Sequence, residues 1–521
     1  MGWANAEATD LMKQADAELD EERRVDLMAQ IGALAREDVA SIPLYAKPTY
    51  MVWNTSRLGA DLDFNAGQGG FSLEISKWEL NGNNTLVFGA EQWPECLNPI
   101  TPCTLASWLH WTALLPTMAQ LVTLDPDNSY VASPLIKEIP TIENGGITED
   151  PFSVTYNFAD GAVWNDGTPI TAADVEFTWQ VHMETPDATV TTGYELIESV
   201  EGDGESVTIT FSEPYAPWKD LFGGGSEYVL KAAAFEGNPN VTGLLADSLG
   251  WSGGAYVMES FTDSEMILVR NDAYFGPRPS IARIVFRRVE DTNTEITQIK
   301  TGELDAIFPQ ASEALAEFFT GVPARKIVAK GGTLYEGLWF NLDMYPVNDR
   351  SVRLALLLGL DRKKVVDELI KPLFPEAVVS ACLFSVPNLA GGKWCPDDFE
   401  VDQDVEGAKQ ALRDGGWEEQ VADGVTTGWT KGGETLEIRV ATTAGNRGRE
   451  DFQVALLAQA AEIGIHLRID NSSAGVLFQT RGPARDFTVA MFAFVATPDP
   501  TITSNWGADQ IPACSGCPGG P

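Results

Sequence analysis

Histidine is almost missing from this sequence: His110, His182 and His466 are the only three in 521 residues. His110 alone makes a poor metal site, because first-row metals want several N, S or O ligands, and no metal or other cofactor is expected. Basic residues are also scarce, 35 against 75 acidic, for a formal charge of −40. Such a chain repels phosphate backbones, so nucleic acid is not an expected partner. The bland reading of that charge is a solvated surface. No run of 18 apolar residues occurs, so nothing reads as a membrane-spanning helix. Gly-x-Ser-x-Gly, His-Glu-x-x-His, P-loop and Rossmann fingerprints are absent. Among enzymes, that leaves a hydrolase working through paired carboxylates as the rival to a non-enzymatic role. An export signal is not apparent, since Met1–Asn5 opens straight into a helical pattern.

Cysteine is sparse but paired. Cys96 lies near Cys103, Cys382 near Cys395, and Cys514 near Cys517. An even count with close partners suits short disulfide loops in an oxidising compartment. The last pair has redox-motif spacing, but Pro-Gly-Gly-Pro follows it and no βαβ unit surrounds it, so structural disulfides are the expectation.

What the chain does have is core material: 44% apolar residues, 15 Trp and 24 Phe, with Gly and Pro spread throughout. Its length exceeds what one core supports, so two or three domains are expected. Residues 5–40 read as two amphipathic helices, with Leu11, Met12, Ala15 and Leu19 on one and Leu27, Ile31 and Leu34 on the other. A break at Pro43 should lead into a strand over Tyr50–Trp53, and Phe71–Ile75 alternates like an edge strand. Asn81–Asn84 is turn-forming, and Thr85–Ala90 reads as a buried strand opening a new domain. Beyond it, strands and helices alternate as in a mixed α/β protein, with helices expected over Asp349–Leu360, Asp361–Ile370 and Glu450–Ile463.

Several segments resemble the family 5 extracellular solute-binding proteins, which include the oligopeptide-, dipeptide- and nickel-binding proteins of ABC importers. Thr85–Pro99 is similar to that family's first strand and ligand-facing loop, and Asn165–Val175 (NDGTPITAADV) to its most recognisable signature. Lys300–Ala306 and Trp339–Asp343, followed by Val352 and Arg353, add further matches. The order departs from the family in one respect: residues 1–80 resemble its C-terminal end. The simplest account is a circular permutation, expected of an engineered chain, with residues 81–84 joining the original ends. Four residues span at most roughly 13 Å, so those ends must lie close together.

The resemblance implies a two-lobed periplasmic-binding-protein fold of type II with an extra subdomain. Mapped here, residues 1–43 are the helical end of lobe 2, 44–80 the closing strands of lobe 1 and 81–84 the linker. Residues 85–335 are lobe 1 with its subdomain, and 336–521 the main part of lobe 2. It also implies a monomer of extracytoplasmic origin that captures a small peptide-like or conjugated ligand by hinge closure for an ABC importer permease. A sensor scaffold on the same fold is an alternative. Glu91, Gln92 and Trp93 sit just past a buried strand, where side chains face a cleft, and Trp108 and Trp111 follow as stacking or core residues. Tyr335, Trp339 and Asn341 are expected at the hinge. The junctions Thr442–Arg449 and Phe494–Trp506 are expected to face the cleft, and within them Thr443, Arg447, Phe494, Asp499 and Trp506 are candidate contacts. Where dipeptide binders of this family hold the ligand ammonium with an Asp, this sequence has Ala496, with Asp499 as a substitute. The ligand is therefore not expected to be an ordinary free zwitterionic dipeptide.

Overall fold

The computed structural model describes residues 2–67, 70–105, 107–387, 389–395 and 399–511. Its frame is a ten-stranded mixed sheet. In chain order the strands are β1 (Ser41–Asn54), β2 (Thr85–Ala90), β3 (Tyr256–Phe261), β4 (Glu265–Arg270), β5 (Arg283–Arg288), β6 (Ala306–Ile307), β7 (Arg325–Phe340), β8 (Glu437–Ala441), β9 (His466–Ile469) and β10 (Val489–Val495). Across the sheet they run β9-β8-β10-β7-β1-β6-β2-β5-β4-β3.

The two longest strands, β1 and β7, are antiparallel neighbours in its middle, paired from Ser41 opposite Trp339 to Asn54 opposite Arg325. Proline does not break β1. The strand runs through Pro43 and Pro48, and the register shifts between Pro43 and Tyr45 and again between Lys47 and Pro48. A proline has no N–H for the ladder, so it is tolerated where the ladder is already irregular. On either side lie two parallel half-sheets: β2 with β5 and β6, and β8 with β9 and β10.

Two hydrophobic cores flank this frame. The first holds Met51, Trp53, Phe71, Phe88, Trp108, Trp164 and Phe286. It continues into a four-stranded antiparallel sheet (Ile147–Glu149, Phe152–Asn157, Ser206–Phe211, Ile197–Gly202) backed by the helix Ala172–Glu184. The second holds Leu338, Trp339, Leu356, Trp394, Phe452 and Trp506, together with Trp3, Met12 and Ile31 from the front of the chain. The helices Ala6–Ala17 and Glu21–Asp38 thus belong to the second core. Their caps are local: Asn5 Oδ1 accepts from the Ala8 N–H and Asp20 Oδ1 from that of Arg23. Their docking is tertiary, with Trp3 edge-on to Trp506 and Thr503 Oγ1 donating to Asp16 at 2.5 Å.

The three expected helices form as Arg350–Gly359, Arg362–Leu369 and Arg447–Glu462. Asp349 and Asp361 cap the first two. The third starts three residues earlier than expected because Asn446 caps it. Phe71–Ile75 is not an edge strand but part of two 3₁₀ turns, Gly70–Leu73 and Ile75–Lys77. Phe71 is drawn wholly into the first core, stacked 4.1 Å from Phe88, which a residue alternating on an open sheet edge could not achieve.

Trp339 is fully buried where β7 enters the second core, and its indole N–H donates to the Phe492 carbonyl at 2.7 Å. Trp339→Ala is expected to cost about 3–5 kcal/mol in urea unfolding. A loss below about 1 kcal/mol would mean that this junction does not hold the second core together.

Candidate functional site

A polar cavity of about 110 Å³ lies between the two cores. Glu91, Gln92, Glu290, Thr292 and Gln310 line it together with Thr443, Ala444, Asn446, Ser473 and Ala474. Glu91 and Gln92 directly follow β2, Thr443–Asn446 link β8 to the helix Arg447–Glu462, and Ser473 follows β9. The cavity therefore sits at the carboxyl ends of parallel strands from both half-sheets, where loops and helix N-termini leave a crevice. The walls approach closely. A Cβ on Gly448 would lie 2.6 Å from the Ala311 carbonyl, so this backbone contact requires glycine.

Buried charges underlie the cavity. Lys47, on β1, donates to Gln310 Oε1 at 2.6 Å, and burial pushes its pKa down to about 8. Glu91 Oε1 accepts from Thr292 Oγ1 at 2.8 Å and from the Gln310 N–H at 3.1 Å. Burial raises the Glu91 carboxyl. Glu295 beside it is pushed well above the carboxylate range, first by burial and then by the charge of Glu91. Glu336, on β7, accepts a hydrogen bond from Arg449 Nε at 2.9 Å and is ion-paired to its Nη2 at 2.8 Å, while Arg449 Nη1 donates to Thr443 Oγ1 at 3.0 Å.

A second group of buried charges lies around Asp499. Arg24 is ion-paired to it and stacks over Trp394. Facing them, Tyr130 donates to Asp220 at 2.7 Å, and the Ala216 N–H donates to the Asp16 carbonyl at 2.7 Å. Burial pushes Asp16 up to about 6, Asp220 to about 7 and Glu227 to about 8.

Of the residues singled out in the sequence, Glu91, Gln92 and Thr443 line the cavity. Trp93 does not: it stacks on Phe261 and donates to the Thr262 carbonyl. Trp108 and Trp111 pack edge-to-face, 5.0 Å apart, inside the first core. Tyr335, Trp339, Phe494 and Trp506 form one aromatic cluster at the second core, with Phe494 and its neighbour Phe492 half-buried. Asn341 is spent on the backbone carbonyls of Arg485 and Phe487. Asp499 has its partner in Arg24, so it is no free anchor for a ligand cation. Arg447 points outward to Asp451 at 2.7 Å, and Arg449 takes the interior place instead. The helix explains this: Arg449, Phe452, Gln453, Leu456 and Ala460 share its buried stripe, and Arg447 lies off it. That spacing was available in the sequence. Lys47, Glu295 and Glu336 gave no such sign in the sequence. Cys96 pairs with Cys103 and Cys382 with Cys395, whereas Cys514 and Cys517 lie outside the described residues. The first disulfide loop touches the second lobe, where Gln479 donates to the Cys103 carbonyl at 3.3 Å.

The family model described as bacterial extracellular solute-binding proteins, family 5 Middle, matches residues 140–510. The chain belongs to that family. Among family 5 and other relatives, the probable monoacyl phosphatidylinositol tetramannoside-binding protein LpqW of Mycobacterium tuberculosis is 32% identical over 177 residues, 31% of this chain and 27% of LpqW. The oligopeptide-binding protein AppA of Bacillus subtilis is 25% identical over 394 residues, 72% of this chain and 67% of AppA. The chain thus spans about a quarter of the first relative's length and two-thirds of the second's. The solved structure of AppA from Bacillus subtilis in complex with a nonapeptide superposes with a TM-score of 0.68 at 21% identity, covering 82% of each chain. The architecture is the two-lobed, mixed α/β fold of periplasmic binding proteins.

Two predictions follow from the buried charges of this family 5 chain. Removing one member of a buried pair strands the other, so Arg449→Ala should lose about 3–5 kcal/mol in denaturant unfolding. The double change Glu336→Gln with Arg449→Met should lose clearly less; equal losses would mean that the pair is not the cause. Asp220 is raised from 3.8 unfolded to about 7 folded, so its neutral form's contribution is complete below about pH 3.8 and fades as pH rises to about 7. Unfolding free energies of Asp220→Asn should therefore fall less steeply between pH 4 and 7, the difference having an upper limit of roughly 4 kcal/mol. Parallel pH profiles would remove Asp220 as the source.

Proposed function

We propose that this chain is the extracytoplasmic solute-capturing component of an ABC importer, holding a small peptide-like or conjugated ligand between its lobes and catalysing no reaction. The observation that carries the reading is the cavity itself, walled in equal parts by the two lobes and bridged by the strands β1 and β7. A ligand that touches both walls shifts an open–closed equilibrium toward the closed form, and an importer reads the closed shape. We assign Glu91, Gln92 and Thr443 to ligand contact and the half-buried Phe494 to the cleft wall. The carboxylates that line the cavity have partners within the protein: Glu91 accepts from Thr292 and Gln310, and Glu290 is paired with Arg288 at 2.8 Å. That favours binding over the acid–base pair a hydrolase needs.

We further read the segment order as a circular permutation in which residues 1–43 complete the second lobe, 44–80 and 85–335 form the first, and 336–521 form the rest of the second. Arg57, just past β1, fits residues 81–84 as the joint, because it donates to the Asn83 side chain and to the Thr85 carbonyl.

Thermal unfolding and small-angle scattering against peptides, opines, oligosaccharides and chelates test the reading. A ligand at a hundred times its Kd adds about 2.7 kcal/mol to the native state, and the radius of gyration should fall on binding. The ligand should be recovered unchanged by mass spectrometry; conversion would support the hydrolase instead. Absence of both stabilisation and closure across the panel would reject solute capture.

A further inference from the structure

Two chain segments that line the cavity stay in contact beyond it. One follows β2: Glu91 and Gln92 line the cavity, and the chain runs on through Glu95 to the 3₁₀ turn Pro102–Leu105. The other follows β9: Ser473 and Ala474 line the cavity, and a short π-helix spans Val476–Arg481. Glu95 lays its carboxylate against the backbone of Gly475, where no Cβ would fit, and Gln479 Nε2 donates to the Cys103 carbonyl at 3.3 Å. The 3₁₀ turn and the π-helix pack against each other, so the contact continues from the cavity wall outward.

Each segment is anchored to a different core. The Leu97 N–H donates to the Leu245 carbonyl at 2.9 Å, Asn98 Nδ2 to that of Val241 at 2.9 Å, and the Ile100 carbonyl accepts from the Thr189 N–H at 2.8 Å. Leu97, Ile100 and Cys103 are buried in the first core. On the other side Phe478 lies edge-on to Phe492, 5.4 Å away, which packs on the second core, and Arg481 is ion-paired with Asp470 at 2.7 Å. Past Ile100 the 3₁₀ turn is tied back by the Thr104 hydroxyl, 2.8 Å from His110 Nε2, and by the disulfide from Cys103 to Cys96. A carbonyl free to swing would lose that freedom each time it met Gln479, whereas one fixed beforehand by a short cross-linked loop does not.

We propose that the Cys96–Cys103 disulfide and Gln479 are positioning groups of a clasp: the disulfide holds the Cys103 carbonyl where Gln479 meets it, and the joined segments keep one side of the cavity closed over its contents. The inference rests on the solute-capture reading for its use, but its test needs no ligand. Hydrogen–deuterium exchange of the full chain, read by mass spectrometry, compares the parent with Cys96→Ser plus Cys103→Ser and with Gln479→Glu, which keeps the side chain's size and removes the donor. Loss of the disulfide should speed exchange roughly tenfold over residues 473–482 of the opposite segment, where the N–H groups of Leu477 and Gly482 are hydrogen-bonded. Gln479→Glu should in turn speed exchange over residues 101–105, because coupling between two sites is reciprocal. Strand β10, on which Phe478 packs, should keep its rates in both variants. Unchanged exchange in the segment opposite the substitution overturns the clasp. Acceleration that spreads over β10 overturns it too, since that marks a general loosening. If the double serine change does not fold, Gln479→Glu decides alone. Each of these failures leaves solute capture standing, because that reading falls only if no ligand of the wider panel stabilises or closes the protein.

Discussion

The pairing of β1 with β7 is the constraint on which everything else depends. Among the described residues these are the longest strands, and β1 feeds both cores: Met51 and Trp53 enter the first, and Ile42, Leu44, Tyr50 and Val52 the second. Both register shifts fall in β1 next to a proline. A missing N–H and a skipped ladder bond make these the places where the pair resists bending least. The parallel half-sheets then hang on either side with their carboxyl ends converging, and the cavity follows from that arrangement rather than from any one loop.

Charge reinforces the same geometry. Lys47 on β1 and Glu336 on β7 each meet a side chain carried by another element, Gln310 in one case and Arg449 in the other. Their burial is tolerable because these partners are in place. Near Asp499 the solution differs. Arg24, brought by the second helix of the chain, neutralises Asp499, while Asp16 and Asp220 meet burial by holding protons more tightly.

Much of the local structure was legible in the residues. The helices follow their apolar stripes and their Asp and Asn caps, the central strand Thr85–Ala90 its unbroken apolar run, and two cysteine pairs their short spacing. Legibility failed where a side chain answered to a distant neighbour. Phe71 left its alternating strand pattern for a core built by Phe88 and Trp108, and β1 ran through two prolines because its partner strand shifts with it. At the site, Glu91, Gln92 and Thr443 were recognisable because they end strands. Trp93, Trp108 and Asn341 looked equally suitable, yet they are consumed by packing or by backbone carbonyls.

By itself the sequence determined the elements, their caps, the acidic character and the family motifs, because these depend on spacing along the chain. Only the tertiary structure decided which of Arg447 and Arg449 turns inward beside Glu336, that Asp499 is already neutralised, and that Glu91 and Asn446 face one cavity from opposite lobes. Those outcomes depend on which groups lose water together when two lobes meet, and residues far apart in sequence carry no mark of that shared desolvation.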